Sequence, residues 1–231
     1  MPVSFFSQDA VAVGRGLLGT VLVTSFGGYH TAGRIVEVEA YLGVSDPASH
    51  AYGFRYNRQN ESIYGPPGSW YVYRSYGVHW CANLVTGPPG EGAAVLIRSL
   101  EPIEGLEVMR RRRGRVGDLL LCSGPGRLCQ AMGITRSLDR SGMRDSPAVV
   151  KRGAPVARRE VAVTRRIGIT RAADAPLRFA LRKSVHLSRP LREGKCNGRT
   201  GRKTGPPVCP SRDPRGGYSR PVSPSRELPI L

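Results

Sequence analysis

Apolar and polar residues alternate through "RIVEVEAYL" (residues 34–42), the period-two pattern of a half-buried strand. Around it, "GRGLLGTVLVTSF" reads as a helix end running into a strand, "LLGTVLV", and "GGYHTAG" as the turn that follows. "GPPGSW" is a tight turn, after which "WYVYRSYG" and "VHWCANLV" form a predicted hairpin closed off by "GPPGEG". "AAVLIRSLEP" is a further strand. "IEGLEVMRRRRG" has helical spacing at Ile103, Leu106 and Met109, and "SGPGRLCQAMGI" reads as turn residues opening a short helix. "VAVTRRIGIT" and "LRFALR" are expected as late strands. After about Pro190 the chain becomes rich in Gly, Pro, Ser and Arg with almost no apolar periodicity, which reads as a disordered basic tail. No internal repeats occur.

Strand parity then sorts side chains into faces, because residues two apart point the same way. Glu37, Glu39 and Tyr41 share one face of "RIVEVEAYL"; Val36, Val38 and Ala40 share the other. Two carboxylates and a phenol are either a solvent-facing side of an antiparallel sheet or a buried group that needs partners. Likewise Tyr71 and Tyr73 share a face opposite Trp70 and Val72, Cys81 pairs in parity with Asn83, and Leu96 with Arg98. If these strands are neighbours, one face collects Glu39, Tyr41, Tyr73, Asn83 and Arg98. Such a face offers flat rings that stack on other rings and hold cations, beside a carboxylate and a guanidinium able to position and deprotonate water.

Composition narrows the substrate. The 231 residues suit one large domain with or without a tail, and the net charge is +18. That charge favours a polyanion, nucleic acid first and an anionic membrane surface second. Only four of the 35 basic residues are lysine, and an arginine-rich composition can also reflect codon bias. No apolar run is long enough to span a bilayer, and the start lacks the pattern of a signal peptide. Cys81, Cys122, Cys129, Cys196 and Cys209 are odd in number and form no C-x-x-C, which points to neither zinc nor a disulfide framework and fits buried thiols in a reducing compartment. No P-loop or G-x-G-x-x-G accompanies the aromatic face. An aromatic slot with a water-activating carboxylate in a basic protein suits a base extruded from nucleic acid.

Five blocks, "GRIVEVEAYLGVSDPASHAYG", "YGPPGSWYVYRSYGVHWCANLV", "AAVLIRSLEPIEGLEVMRRRRG", "LCSGPGRLCQAMGIT" and "RIGITRAADAPLRF", resemble in this order the alkyladenine (3-methyladenine) DNA glycosylase family, from about Leu17 to Pro190. The resemblance implies a mixed α/β (α+β) fold: a single domain, residues 1–190, around a curved antiparallel β-sheet with flanking helices, followed by the tail, 191–231. It implies no metal and no organic cofactor. It implies Glu39 as general base, with Arg98 helping to hold the attacking water. Tyr41, His50 and Tyr73 would line the slot for the flipped base, and Asn83 would stand at its floor and disfavour the guanine amino group. Tyr76 would wedge into the duplex, and Arg127 would contact phosphate. The implied partner is double-stranded DNA containing damaged purines, with no membrane, in the cytoplasm at the nucleoid of a bacterium or in a eukaryotic nucleus. A monomer is expected of an enzyme that scans DNA. Residues 1–150 contain no lysine, so a Schiff-base route that nicks the strand has no evident nucleophile there, and a monofunctional glycosylase follows.

The chain departs from the family pattern in "NRQN", where Gln59 stands in place of an arginine, with Arg55 or Arg58 as substitutes. Arg110 to Arg113 are either a solvated helix end or a phosphate-contacting run. Glu37 reads as structural, and His79 as packing or surface. Two rivals stand. A carbohydrate hydrolase would use Glu37 and Glu39, about 6.5 to 7 Å apart along a strand face, but lacks further acidic or tryptophan subsites and does not fit the charge. A non-catalytic family member would bind lesions without cutting them.

Overall fold

The fold is organised by one long strand. In a computed structural model that describes residues 1–144 and 146–191, strand β2 (Tyr29–Tyr41) runs through the sheet and is shared by three neighbours. Along one edge it pairs antiparallel with β5 (Ala93–Glu104) from Ala32 to Tyr41, with register shifts around Ile35, Glu37 and Val38. Along the other edge its first half pairs with β1 (Val21–Phe26), and Glu37 to Glu39 pair with β8 (Arg178–Leu181). The fork where β1 leaves and β8 enters coincides with those shifts, as expected of bulges that bend a strand and re-aim its side chains. The hairpin of β3 (Trp70–Ser75) and β4 (His79–Thr86) extends the sheet beyond β5, β6 (Ala148–Lys151) extends it beyond β1, and β7 (Val161–Thr164) pairs with β8. The result is a mixed α+β fold on a curled, wholly antiparallel eight-stranded sheet.

Helices α1 (Val3–Phe6), α2 (Ala10–Leu17), α3 (Leu106–Arg113) and α4 (Pro125–Met132) supply the packing partners. Asp9 caps α2 by accepting from the backbone N–H groups of Val11 and Ala12, and Pro125 occupies the first turn of α4, where its missing N–H is no loss. The main core takes one side chain in two from each central strand: Val36, Val38 and Ala40 of β2, Val72 of β3, Ala82 and Leu84 of β4, Val95 and Ile97 of β5, packed with Leu17, Met109, Leu128 and Met132 of the helices. A second, smaller cluster on the alternate residues contains Tyr71, Val85 and Ala94 together with Ala51 and Ile63 of the long connection between β2 and β3.

Three local expectations are corrected. Ile103 belongs to the end of β5 and is exposed, and α3 begins only at Leu106; the apolar spacing crosses a glycine, Gly105, whose left-handed φ of 76° starts the helix. "VAVTRRIGIT" is strand only to Thr164, and residues 165–169 leave the sheet to lie over the site described below. The turn expected over "GGYHTAG" narrows to Gly27 and Gly28, and β2 already starts at Tyr29. In addition, the sequence pattern carries no expectation of β6. Cys81, Cys122 and Cys129 are buried free thiols; burial pushes Cys122 up to about 12. The described residues belong to a compact unit, Met1–Arg192. The tail expected over 191–231 lies, from residue 192 on, outside the described residues, as do Cys196 and Cys209. Among the described residues no helix is long and apolar enough to cross a membrane.

Candidate active site

The face of β2 opposite the main core carries the chemistry. Glu39 is completely buried and held at three points. Its Oε2 accepts from Arg98 Nη1 and from the Tyr41 hydroxyl, each at 3.0 Å, and its Oε1 accepts from the backbone N–H of Ile167 at 2.7 Å. Each donor comes from a different piece of the fold: β5 for Arg98, β2 itself for Tyr41, and the 165–169 segment for Ile167. A carboxylate offers about four acceptor positions, so one remains, on Oε1. The charged form is thereby compensated, which an isolated buried carboxylate never is.

Arg98 is held on its other edge by Glu37, whose Oε1 lies 3.2 Å from Nε. Burial works against the Arg98 charge, but the facing carboxylates of Glu39 and Glu37 outweigh it and raise its pKa. Glu37 is also fully buried and accepts from Arg178 Nε (2.7 Å), from the Ser188 backbone N–H (2.6 Å) and from the Ser188 hydroxyl (2.7 Å).

Over this charged floor lies a pocket of about 980 Å³ lined by Tyr41, His50, Tyr71, Tyr73, Arg98 and Ile167, among others, with Tyr76 and Gln59 at its margin. Glu39 itself does not line it; the carboxylate sits behind Tyr41 and Arg98, which do. A smaller recess of about 80 Å³ shares Tyr41, His50, Tyr71 and Tyr73 and adds Asn83, which is 4% exposed and donates from Nδ2 to the Tyr71 carbonyl at 2.9 Å. Tyr71 and Tyr73 stack at 5.3 Å between ring centroids, and His50 stands edge-on to Tyr73 at 4.5 Å with its Nδ1 2.6 Å from the Tyr71 hydroxyl. Burial pushes the phenols of Tyr41, Tyr71 and Tyr73 far above their usual range, for Tyr41 with help from the Glu39 charge, so all three stay protonated. Burial, with the positive charge of Arg55 second, lowers the pKa of His50 and keeps its ring neutral at pH 7.

The strand-parity expectation thus places Glu39, Tyr41, Tyr73, Asn83 and Arg98 on one face, with His50 brought in from the connection after β2. The two remaining predicted residues stand apart. Tyr76 is 96% exposed at the tip of the β3–β4 hairpin. It sits with Gly77 at the centre of a turn closed by Val78 N–H donating to the Ser75 carbonyl, both at positive φ (49° and 68°). A type I′ turn needs that geometry and usually takes Asn-Gly, so a fully exposed tyrosine there is strained without packing to hold it. Arg127 is exposed at the start of α4 and donates to the Ser123 carbonyl and hydroxyl (3.3 and 3.1 Å) rather than entering the pocket. The arginine run of α3 is largely occupied: Arg110 pairs with Glu107 and Asp118, Arg112 donates to the Ala131 carbonyl, and Arg113 to the Leu121 carbonyl.

Sequence reasoning missed Arg166 and Asp46. Both side chains are buried, they form an ion pair, and the Arg166 guanidinium lies 4.7 Å from the Tyr41 ring centroid while donating to the Ala40 carbonyl. This pair pins the 165–169 segment over β2 and so delivers the Ile167 N–H to Glu39. The partners are 120 residues apart, and nothing local signals the pairing.

The sequence profile of the methylpurine-DNA glycosylase family matches residues 4–185. A protein of Methanoculleus marisnigri provisionally named 3-methyladenine DNA glycosylase is 50% identical over 82% of this chain and 98% of its own length. Provisionally so named as well are relatives from Nitrosospira multiformis, 48% identical over 81% of this chain and 93% of its own, and Agrobacterium fabrum, 46% identical over 82% and 92%.

Proposed function

Because the chain belongs to the methylpurine-DNA glycosylase family, hydrolases that act on N-glycosyl bonds, we propose that it takes alkylated or deaminated purines out of duplex DNA and releases them by hydrolysis, without cutting the strand. The observation that carries this reading is the juxtaposition of Glu39, compensated by Arg98 with one acceptor position to spare, and a pocket walled by Tyr41, Tyr73 and His50. An alkylated purine is often cationic, and stacked phenol rings hold flat cations well. Protonated tyrosines donate hydrogen bonds without adding charge, and a neutral His50 does not repel a cationic base. Asn83 at the adjoining recess sets a polar limit on which purine edge fits.

In the reaction Glu39 Oε1 takes a proton from a water as that water attacks the anomeric carbon and the purine departs. The Arg98 Nη atom not engaged by Glu39 helps hold the water. The carboxylate charge also opposes the positive charge that develops on the sugar, a contribution made in the transition state rather than in the bound substrate. At the pocket margin the strained Tyr76 fills the gap left by the displaced nucleotide, and Arg127, outside the pocket, meets a backbone phosphate. The protein acts as a monomer through the folded unit 1–190, at the nucleoid of a bacterium or in a nucleus.

Duplexes carrying one defined lesion each test this directly. Wild type should release 3-methyladenine, hypoxanthine or ethenoadenine, leaving a strand that breaks only after alkali; Glu39→Gln should bind the same duplex and release nothing measurable. Equal, slow release by both proteins would instead favour a lesion binder without catalysis.

A further inference from the structure

Glu37 lies one residue pair along β2 from Glu39 and is not part of the pocket wall, yet it accepts four hydrogen bonds, one more than Glu39 itself. It accepts from Arg98, Arg178 and both donors of Ser188, all within 3.2 Å. The charges of Glu37, Glu39, Arg98 and Arg178, all buried, sum to zero, the condition under which buried ions are tolerated. Arg178 is fixed in turn by the Arg189 carbonyl (2.7 Å) and the Thr164 hydroxyl (3.1 Å). The segment 182–191 is thereby clasped onto β2, and its contact residue Ser188 lies beyond the 4–185 span matched by the family profile.

We infer that Glu37, with Arg178 and Ser188, is a positioning group for Arg98, an inference that rests on the reaction proposed at Glu39. The geometry is specific. Arg98 spends Nε on Glu37 and Ser188 and one Nη on Glu39, so the guanidinium plane is anchored on two edges. Without the Glu37 charge only the neutral Ser188 hydroxyl, at 3.3 Å, still holds Nε, and the guanidinium turns both of its inner donors to the Glu39 carboxylate. A bidentate arginine on Glu39 fills the acceptor position that the water needs. Glu37 thus keeps Arg98 shared between two acids rather than captured by one.

The test is a double-mutant cycle on the full chain, read as single-turnover base release at saturating enzyme from a duplex with one defined lesion. Glu37→Gln removes one charged hydrogen-bond acceptor and should slow release by roughly 10- to 150-fold, with lesion-DNA Kd unchanged. Arg98→Lys should slow it as well, and the double variant should be no slower than Arg98→Lys alone, because the first effect passes through the second residue. Ser188→Ala keeps every charge and removes one hydroxyl; it should slow release by roughly 2- to 12-fold and replaces Glu37→Gln in the cycle should that variant not fold. Losses that multiply in the double variant, or wild-type release rates in both Glu37→Gln and Ser188→Ala, would overturn the inference while leaving the glycosylase reading intact. No release by wild type would remove the glycosylase reading itself.

Discussion

The two faces of β2 are equally dry and opposite in kind. Val36, Val38 and Ala40 are at 0% exposure on one side; Glu37 and Glu39 are at 0% on the other. The first face is held by contact with whatever apolar side chain is near, and each buried valine contributes roughly 1.5–3 kcal/mol. The second holds only because β5, β8 and the 165–169 and 182–191 segments each deliver a donor to a named oxygen. Degree of burial therefore does not separate a face built for stability from a face built for chemistry; the partner inventory does. A hydrocarbon replacement of comparable volume for a buried ion network is often neutral or stabilising. An arrangement with this many fixed donors is better understood as holding a guanidinium and a carboxylate in one orientation than as holding the fold together.

Matched substitutions on the two faces break that distinction if it is wrong. Glu39→Gln should reduce single-turnover base release by about 100- to 10,000-fold, with a much smaller change in lesion affinity. Ile97 lies on β5 on the core side, opposite Val38 in register. Ile97→Ala should lower the free energy of unfolding by about 2–5 kcal/mol in urea titrations and leave the release rate of folded protein close to wild type. A release rate for Ile97→Ala as low as that of Glu39→Gln would mean that the faces are not separable.

The same contrast explains what could be read in the sequence. Period-two parity placed Glu39, Tyr41, Tyr73, Asn83 and Arg98 on one side because parity is a local property of extended chain. It left open whether that side faced water, and only the segments that fold back over β2 settle this. Those segments carry little local signal. Residues 165–169 continue a strand-like apolar pattern yet leave the sheet, drawn by Asp46, which is far away in sequence and reads locally as a turn residue. Ser188 and Arg178 meet Glu37 across 151 and 141 positions. β6 is four residues long, too short for alternation to stand out. The core face of the central strands was legible because any apolar neighbour satisfies it.

Tyr76 sharpens the comparison at the surface, where neither packing nor a partner fixes the side chain. Replacing it by asparagine, which accepts positive φ readily, should stabilise the protein by up to about 1 kcal/mol. The same change removes a ring that would stack in the duplex, worth about 1–3 kcal/mol per base, so the lesion-DNA Kd should rise by roughly 5- to 150-fold. Thermal unfolding and binding titrations on one variant read both signs. A destabilised Tyr76→Asn with unchanged Kd would make the tyrosine a packing residue and end its assignment to DNA.

The smallest expected effect lies in the pocket wall. Burial first, and the positive charge of Arg55 second, hold the pKa of His50 below its ordinary 6.5. In the window between that lowered value and 6.5 the unfolded chain binds a proton that the folded protein does not, so this residue's contribution to stability falls as pH drops through 6.5. A protonated ring would also place a positive charge beside a cationic purine. Arg55→Gln removes the second cause and leaves the first. The His50 midpoint, followed by histidine ring NMR, should therefore move up toward 6.5 without reaching it, and loss of lesion binding on acidification, taken relative to each protein's own binding at pH 8, should begin at a higher pH than in wild type. A midpoint that stays or moves down would mean that Arg55 does not act on the ring, and that burial alone keeps the aromatic wall uncharged.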